Sequence, residues 1–331
     1  TTDVSTNWKS GDSVVIPSTS KTYTEYDQRT LNGDASGTTV TLNSGLTNAH
    51  LGTAPTIARV INLTRNVLIQ GTSDSLQGYI VFETGATVDW DYVEVYRMGS
   101  ATASKRGLDV QATTGTVNLN GCSMHDFVVT SSIGLNLTAA TGSALTVTDM
   151  VSYNIEREHF YTANTSTGTW SIDGWVAIRS ASSQIPAFEF LDCGGTAKNL
   201  YAASINGPGF HFNERNGVTV DFRNWEVHSV LGFGIICGGA VGELAGTNRV
   251  WRCNGGGISI AVSHQGPFLW EFKAVELFGN TSANFDIRGN AGLCRFSNCT
   301  ANGDSTFATT AGVQFVLSSS GGIGYEFINC N

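Results

Sequence analysis

The chain is poor in charge. Lysine, arginine, aspartate and glutamate make up 14% of its 331 residues, against about 25% in an ordinary soluble domain. That excludes a coiled coil or a surface-charged helical bundle, whose outer faces need ionic side chains. Proline is scarce, at 5 residues, while glycine reaches 39. No apolar run approaches the roughly 18 residues of a membrane-spanning helix, so no membrane insertion is expected. The net charge is -9, and the basic footprint of a nucleic-acid binder is missing. The seven cysteines contain no CxxC pair, which argues against a zinc knuckle. There is no calcium loop of the D-x-[DN]-x-[DN]-G type, no P-loop, no dinucleotide fingerprint, no G-x-S-x-G and no HExxH. No metal ligands or cofactor are identified, and calcium is kept as the one candidate ion. The opening Thr1-Thr2-Asp3-Val4 has no basic head or apolar stretch, and the chain ends in mid-pattern at Cys330-Asn331. The first fits either a leader that has been removed or a portion of a longer chain, and the second favours a truncated chain.

What is present is short alternation. Ser13-Val14-Val15-Ile16, Val67-Leu68-Ile69, Val93-Glu94-Val95, Thr116-Val117-Asn118-Leu119 and Ala144-Leu145-Thr146-Val147 are period-two runs bounded by Gly, Asn, Asp and Ser, the pattern of short strands. Such runs continue to the last residues, so the chain is read as all-β. From about residue 115 they repeat. Val117-Asn118-Leu119-Asn120-Gly121-Cys122 compares with Phe188-Glu189-Phe190-Leu191-Asp192-Cys193, Val250-Trp251-Arg252-Cys253, Arg295-Phe296-Ser297-Asn298-Cys299 and Glu326-Phe327-Ile328-Asn329-Cys330. Units follow one another every roughly 18 to 31 residues, the size of one solenoid coil. A propeller blade is longer, and an immunoglobulin sandwich ends near 100 residues. The expected fold is a right-handed parallel β-helix over residues 61–331, with residues 1–60 as an irregular β cap at its N-terminal end. The recurring cysteines are read as small buried rungs rather than disulfides, and the asparagines as corner residues that tolerate a left-handed backbone.

The blocks Leu63-Thr64-Arg65-Asn66-Val67-Leu68-Ile69-Gln70-Gly71 and Val93-Glu94-Val95-Tyr96-Arg97-Met98-Gly99 resemble the segment after the G8 domain in a family of large extracellular β-helix proteins. That family includes the cell-surface hyaluronidase, the cell-migration-inducing hyaluronan-binding protein and the fibrocystin-like receptors. A weaker match is Val147-Thr148-Asp149-Met150-Val151-Ser152-Tyr153-Asn154 followed by His159-Phe160, with Glu158 where the family has glycine. The resemblance implies a right-handed parallel β-helix on an extracellular or cell-surface glycoprotein in contact with polysaccharide, hyaluronan in some members. It leaves catalysis open, because the family also holds receptors.

A β-helix that acts on glycans needs carboxylates for hydrolysis, or a base and a clamp for the uronate carboxylate for elimination. The richest cluster is Glu156-Arg157-Glu158-His159-Phe160-Tyr161. As a strand it would place Glu156 and Glu158 on one face and Arg157, His159 and Tyr161 on the other. The second cluster, His211-Phe212-Asn213-Glu214-Arg215, alternates His211, Asn213 and Arg215 to one face, with His228 about one coil later. Expected roles are acid or base for Glu156 and Glu158, proton carriers for His159 and His211, and substrate contacts for Arg157, Tyr161, Asn213, Arg215 and His228. His125-Asp126 is a weaker pair. Trp170, Trp175, Trp225, Trp251 and Trp270 are expected mainly in the core, with one or two as sugar platforms. The expected function is polysaccharide recognition, with depolymerisation by a hydrolase or lyase if it is an enzyme. The competing expectation is a non-catalytic rod of a surface filament, flagellar hair or phage spike, self-associating as a filament or trimer.

Overall fold

The computed structural model describes residues 4, 6–53, 57–103, 105–111, 114–137, 144–163, 169–191, 194–213, 220–238, 243–245, 248–262, 269–282, 284–289, 292–302 and 323–330. They form an all-β structure in which parallel strands stack as a solenoid of about 7 turns. Each coil has three faces. In a central coil, Ala144–Ile155 runs along face A to Asp149, turns there, and continues along face B. Phe160–Ala163 forms face C, and Thr169–Ser180 opens the next coil. The stacking is in register: Ala144 pairs with Thr169 and Tyr153 with Ile178, while Phe160 pairs with Phe188.

Two columns of left-handed residues make the corners. Tyr92, Gly121, Asp149, Gly174, Asn199, Asn224, Ala274, Asn298 and Asn329 turn the chain from face A to face B. Arg97, Asp126, Asn154, Arg179, Ser204, Ser229, Arg252 and Gly279 turn it off face B. Glycine, asparagine and aspartate adopt positive φ with least penalty, which is why they recur at the first corner. There the middle coils keep a step of 25 residues, from 149 to 174, 199 and 224.

The residue after each corner points inward, and so does every second residue of each strand. Face C contributes Phe160, Phe188, Phe210 and Ile235 in one column and Phe190 and Phe212 in the next, all at 0% exposure. Phe190 and Phe212 stack at 4.9 Å with planes 8° apart. Trp175 and Trp225 fill the interior from the A–B corner, and Trp170 is buried with them. The cysteines behave as buried rungs: Cys122, Cys237, Cys253, Cys294 and Cys299 are free and buried. Cys193 lies outside the described residues.

The repeat read from the sequence is corrected in one respect. Cys122, Cys299 and Cys330 follow the A–B corner, Cys253 follows the corner at the end of face B, and Phe188–Leu191 belongs to face C. Both corners need a left-handed residue followed by an inward hydrophobe, so their local signatures coincide.

The N-terminal segment is also placed differently from expectation. Ser13–Ile16, Asp27–Thr30 and Ile61–Asn62 form an antiparallel three-stranded sheet. This sheet and its loops lie along face B, not over the first coil. Val15, Ile61 and Leu63 pack with Tyr153 and Ile178 of face B. Ser18 N donates to Ser204 Oγ at 2.9 Å, Ser229 Oγ to Ser18 O at 3.1 Å, and Arg252 to Thr19 O. The segment is therefore a strap that crosses the coils from Ser123, which donates to Leu63 O, as far as Arg252. Among the described residues no helix is long and apolar enough to cross a membrane.

Candidate functional site

Face C is a lateral face that the strap leaves open and, like face A with Asp173, Lys198 and Arg223, it carries a row of polar side chains. Phe210–Asn213 reads Phe-His-Phe-Asn, with the phenylalanines buried and His211 and Asn213 outward. In Phe188–Leu191, Glu189 is outward in the same way. Register then sets the row: Asp109 pairs with Asn136, Asn136 with Tyr161, Tyr161 with Glu189, and Glu189 with His211. Neighbouring rungs are about 4.8 Å apart, so Tyr161, Glu189 and His211 form one continuous strip.

Within the strip, His211 Nδ1 and Glu189 Oε1 are 2.8 Å apart, with side-chain exposures of 24% and 15%. Both are accessible. Behind them is Glu158, whose side chain is 0% exposed and receives a hydrogen bond from Arg157 Nη2 at 2.9 Å. Burial pushes the Glu158 carboxyl up to about 7; Arg157 opposes this, and the charge of Glu189 adds to it. The Tyr161 hydroxyl is raised by burial and by the charges of Glu189 and Glu158. Three buried polar atoms around Tyr161 lack a protein hydrogen-bond partner: Arg106 Nε, Asn136 Oδ1 and Glu158 Oε2. Buried polar atoms are normally paired, and these three are exceptions.

The sequence clusters are thus partly brought together. Arg157, Tyr161, His211 and Asn213 reach the same face. Asn213 is half-buried on the rung beside Leu191. Arg215 lies outside the described residues.

Glu158 and His159 are corrected as substrate-contacting groups. Residues 156–159 form a bend between faces B and C rather than a strand, so alternation fails and both side chains turn in. His159 is 0% exposed, its Nδ1 lies 2.7 Å from Ser152 Oγ, and burial pushes the ring down to about 3. It is a neutral core histidine. Glu156 accepts from Ser182 Oγ at 3.0 Å in the same bend.

His228 is corrected too. It lies on face B under the strap, 1% exposed, stacked on Trp251 at 3.8 Å and hydrogen-bonded to the Tyr201 hydroxyl. His125 shares face B, with Asp126 at 2.9 Å and Glu94 at 3.0 Å. Burial lowers its basicity, but those carboxylates outweigh it and the ring's pKa is raised.

Sequence reasoning gave no role to Glu189. Its signal was the outward position of Phe188-Glu189-Phe190, one rung below His211, which only the coil register makes visible. Among the described residues no group of three or more His, Cys, Asp and Glu side chains is arranged to hold a metal ion. Compared with protein-family models and with curated proteins, the chain matches none; the structure itself is a β-solenoid of about 7 turns, consistent with a parallel β-helix repeat protein.

Proposed function

We propose that the chain binds an acidic polysaccharide along face C and cleaves it there by elimination. The observation that supports this reading is the Tyr161–Glu189–His211 strip with Arg157 beside it and Glu158 buried behind it. Hydrolysis uses two carboxyl groups that both reach the glycosidic bond, and Glu158 does not reach the surface. Elimination suits the accessible groups better. Arg157 neutralises the carboxylate of a uronate residue, which makes the proton on the adjacent carbon removable. Glu189 orients the His211 ring, and the imidazole takes that proton as general base. The electron pair forms a carbon–carbon double bond, the bond to the glycosidic oxygen breaks, and the Tyr161 hydroxyl supplies the proton to the leaving oxygen. Asn213 lines the next rung. A hyaluronan-like substrate and an extracellular or cell-surface setting follow from the resemblance to the G8-type β-helix proteins, and calcium is a partner to be tried.

The test is the chain length of hyaluronan and other uronate polymers before and after incubation, with and without calcium, together with ultraviolet absorbance of the unsaturated product. Glu189→Gln and His211→Ala are each expected to slow cleavage about 10²- to 10⁴-fold while leaving the melting temperature close to that of the parent. A parent protein that shortens none of these polymers would refute the enzymatic reading. It would favour a non-catalytic rod, to which the exposed Val67 and Leu68 of the first coil, at 51% and 49%, offer an apolar stacking edge.

A further inference from the structure

A second open feature lies away from face C, where the strap meets the A–B corner. It is a cleft of about 750 Å³ lined in part by Trp8, Asn62, Arg65, Asn66, Tyr92 and Asp149. Tyr92 is its unusual member. Its φ is 55°, in the left-handed region that a bulky side chain adopts only under strain. The stacked residues on the next coils of that corner are Gly121, Asp149, Gly174, Asn199 and Asn224, all suited to such a backbone. The tyrosine is nonetheless accommodated. Gly121 has no Cβ, and one placed there would come within 2.7 Å of the Tyr92 ring. The ring therefore lies close against the glycine while the residue is 54% exposed. The backbone of Tyr92 is the ordinary one of this corner, which turns the chain from face A to face B; among the described residues of the corner it is the one aromatic, and its ring stays exposed.

The surroundings define the chemistry of a ligand. Trp8 supplies a second aromatic wall, while Asn66 and Asp149 supply polar groups at the rim. The cations are already engaged: Lys9 Nζ pairs with Asp34 at 3.2 Å, and Arg65 donates to Gly121 O, to Asn62 O at 3.0 Å and to Thr64 O at 2.9 Å. The Arg65 donors are thus committed to backbone carbonyls and the Asp149 carboxylate disfavours an anion, while the walls mix apolar side chains such as Val60, Ile61 and Val151 with polar ones. Aromatic faces combined with amide and carboxylate hydrogen-bonding groups suit a sugar ring, with its apolar face and its rim of hydroxyls. We propose that this cleft is a second carbohydrate site, for uncharged sugar residues, with Tyr92 as its stacking platform. It rests on the polysaccharide reading for the class of ligand only; its geometry is independent of face C.

The test is isothermal titration of Glu189→Gln protein, in which any cleavage on face C is slowed, with short oligosaccharides prepared from cellulose, chitin, mannan and hyaluronan. Tyr92→Gly removes the ring and relieves the backbone strain, so the variant folds. It is expected to weaken binding of a neutral oligosaccharide about tenfold, with Tyr92→Phe within about twofold of the parent. Gly121→Ala, which pushes the ring aside, should weaken it as well. Unchanged affinity in Tyr92→Gly, or no binding of any neutral oligosaccharide by the parent, overturns the second site. Neither result touches the elimination reading, which the cleavage of uronate polymers by the wild-type chain decides separately.

Discussion

Faces B and C are cut from the same coils, with the same alternation of inward and outward residues, and they carry opposite chemistry. The outward column of face B beside its second corner runs His125, Tyr153, Ile178, Ala203, His228 and Trp251. It is mostly apolar, every member is at least 95% buried, and the strap lies along it. The outward column of face C runs Tyr161, Glu189 and His211, partly exposed and ionisable. Two outward histidines one coil apart illustrate the difference. His228 is sandwiched between Tyr201 and Trp251 and serves packing, while His211 faces a carboxylate at 2.8 Å with its edge open. Outward position on a β-solenoid thus does not define an exposed site; what lies across the coil decides.

The largest effect expected from this contrast is on stability. Trp251 is 0% exposed, stacks on His228 at 3.8 Å and on Phe278 at 5.8 Å, and donates from Nε1 to Glu226 at 3.1 Å. Trp251→Ala should cost about 3–5 kcal/mol. His211→Ala on face C should cost less than about 1 kcal/mol. Urea denaturation of the two variants measures this directly. Equal losses would mean that face C is as much a packing surface as face B.

Next in size is the response to pH, where the two faces pull in opposite directions. Burial, helped by the charges of Arg59 and Arg252, holds the His228 ring well below its usual range, and burial does the same to His159 in the core. For a depressed histidine the contribution to stability is present above the unfolded value of about 6.5 and is lost as pH falls, by up to about 1.4 kcal/mol per pH unit for each ring. Glu158 behind face C has a raised pKa of about 7. Its contribution is complete below the unfolded carboxylate value, about 4.3, and is lost as pH rises toward 7. Melting temperature against pH should therefore fall on the acid side less steeply in His228→Gln, and on the neutral side less steeply in Glu158→Gln. If either substitution left its limb unchanged, that group would not be held in the protonation state assigned to it.

These examples also mark what a sequence can reveal of such a molecule. Strands and corners were legible because they are local: period-two runs end at Asn199, Asn224, Asn298 and Asn329, each in the left-handed region. The strap was not, since Val14, Val15, Ile61 and Leu63 read as β residues wherever they dock, and their partners Tyr153 and Ile178 are far along the chain. The site was half legible. Arg157, Tyr161 and His211 stood out as local clusters of charge in a chain with little. Glu189 did not, because its partner is 22 residues away and a lone carboxylate between phenylalanines looks like a solvated strand position. The inward turn of Glu158 and His159 escaped because alternation was applied across a bend.

The smallest effect concerns what fastens the strap. Arg59 forms an ion pair with Glu226 at 3.0 Å, with exposures of 51% and 18%, and lies 4.3 Å above the Tyr201 ring. An exposed pair of this kind is worth about 0.2–1 kcal/mol, and a cation over an aromatic face at a partly open site about 0.5–1 kcal/mol. Arg59→Ala should thus lower stability by about 1 kcal/mol, and added salt should shrink the difference from the parent. Ile178→Ala, which removes a fully buried contact with Val15, Ile61 and Leu63, should cost about 2–5 kcal/mol and be insensitive to salt. The ratio of the two losses measures how far the strap is held by burial and how far by charge. A loss for Arg59→Ala as large as that for Ile178→Ala would reverse the assignment and make face B, like face C, a surface organised by its ions.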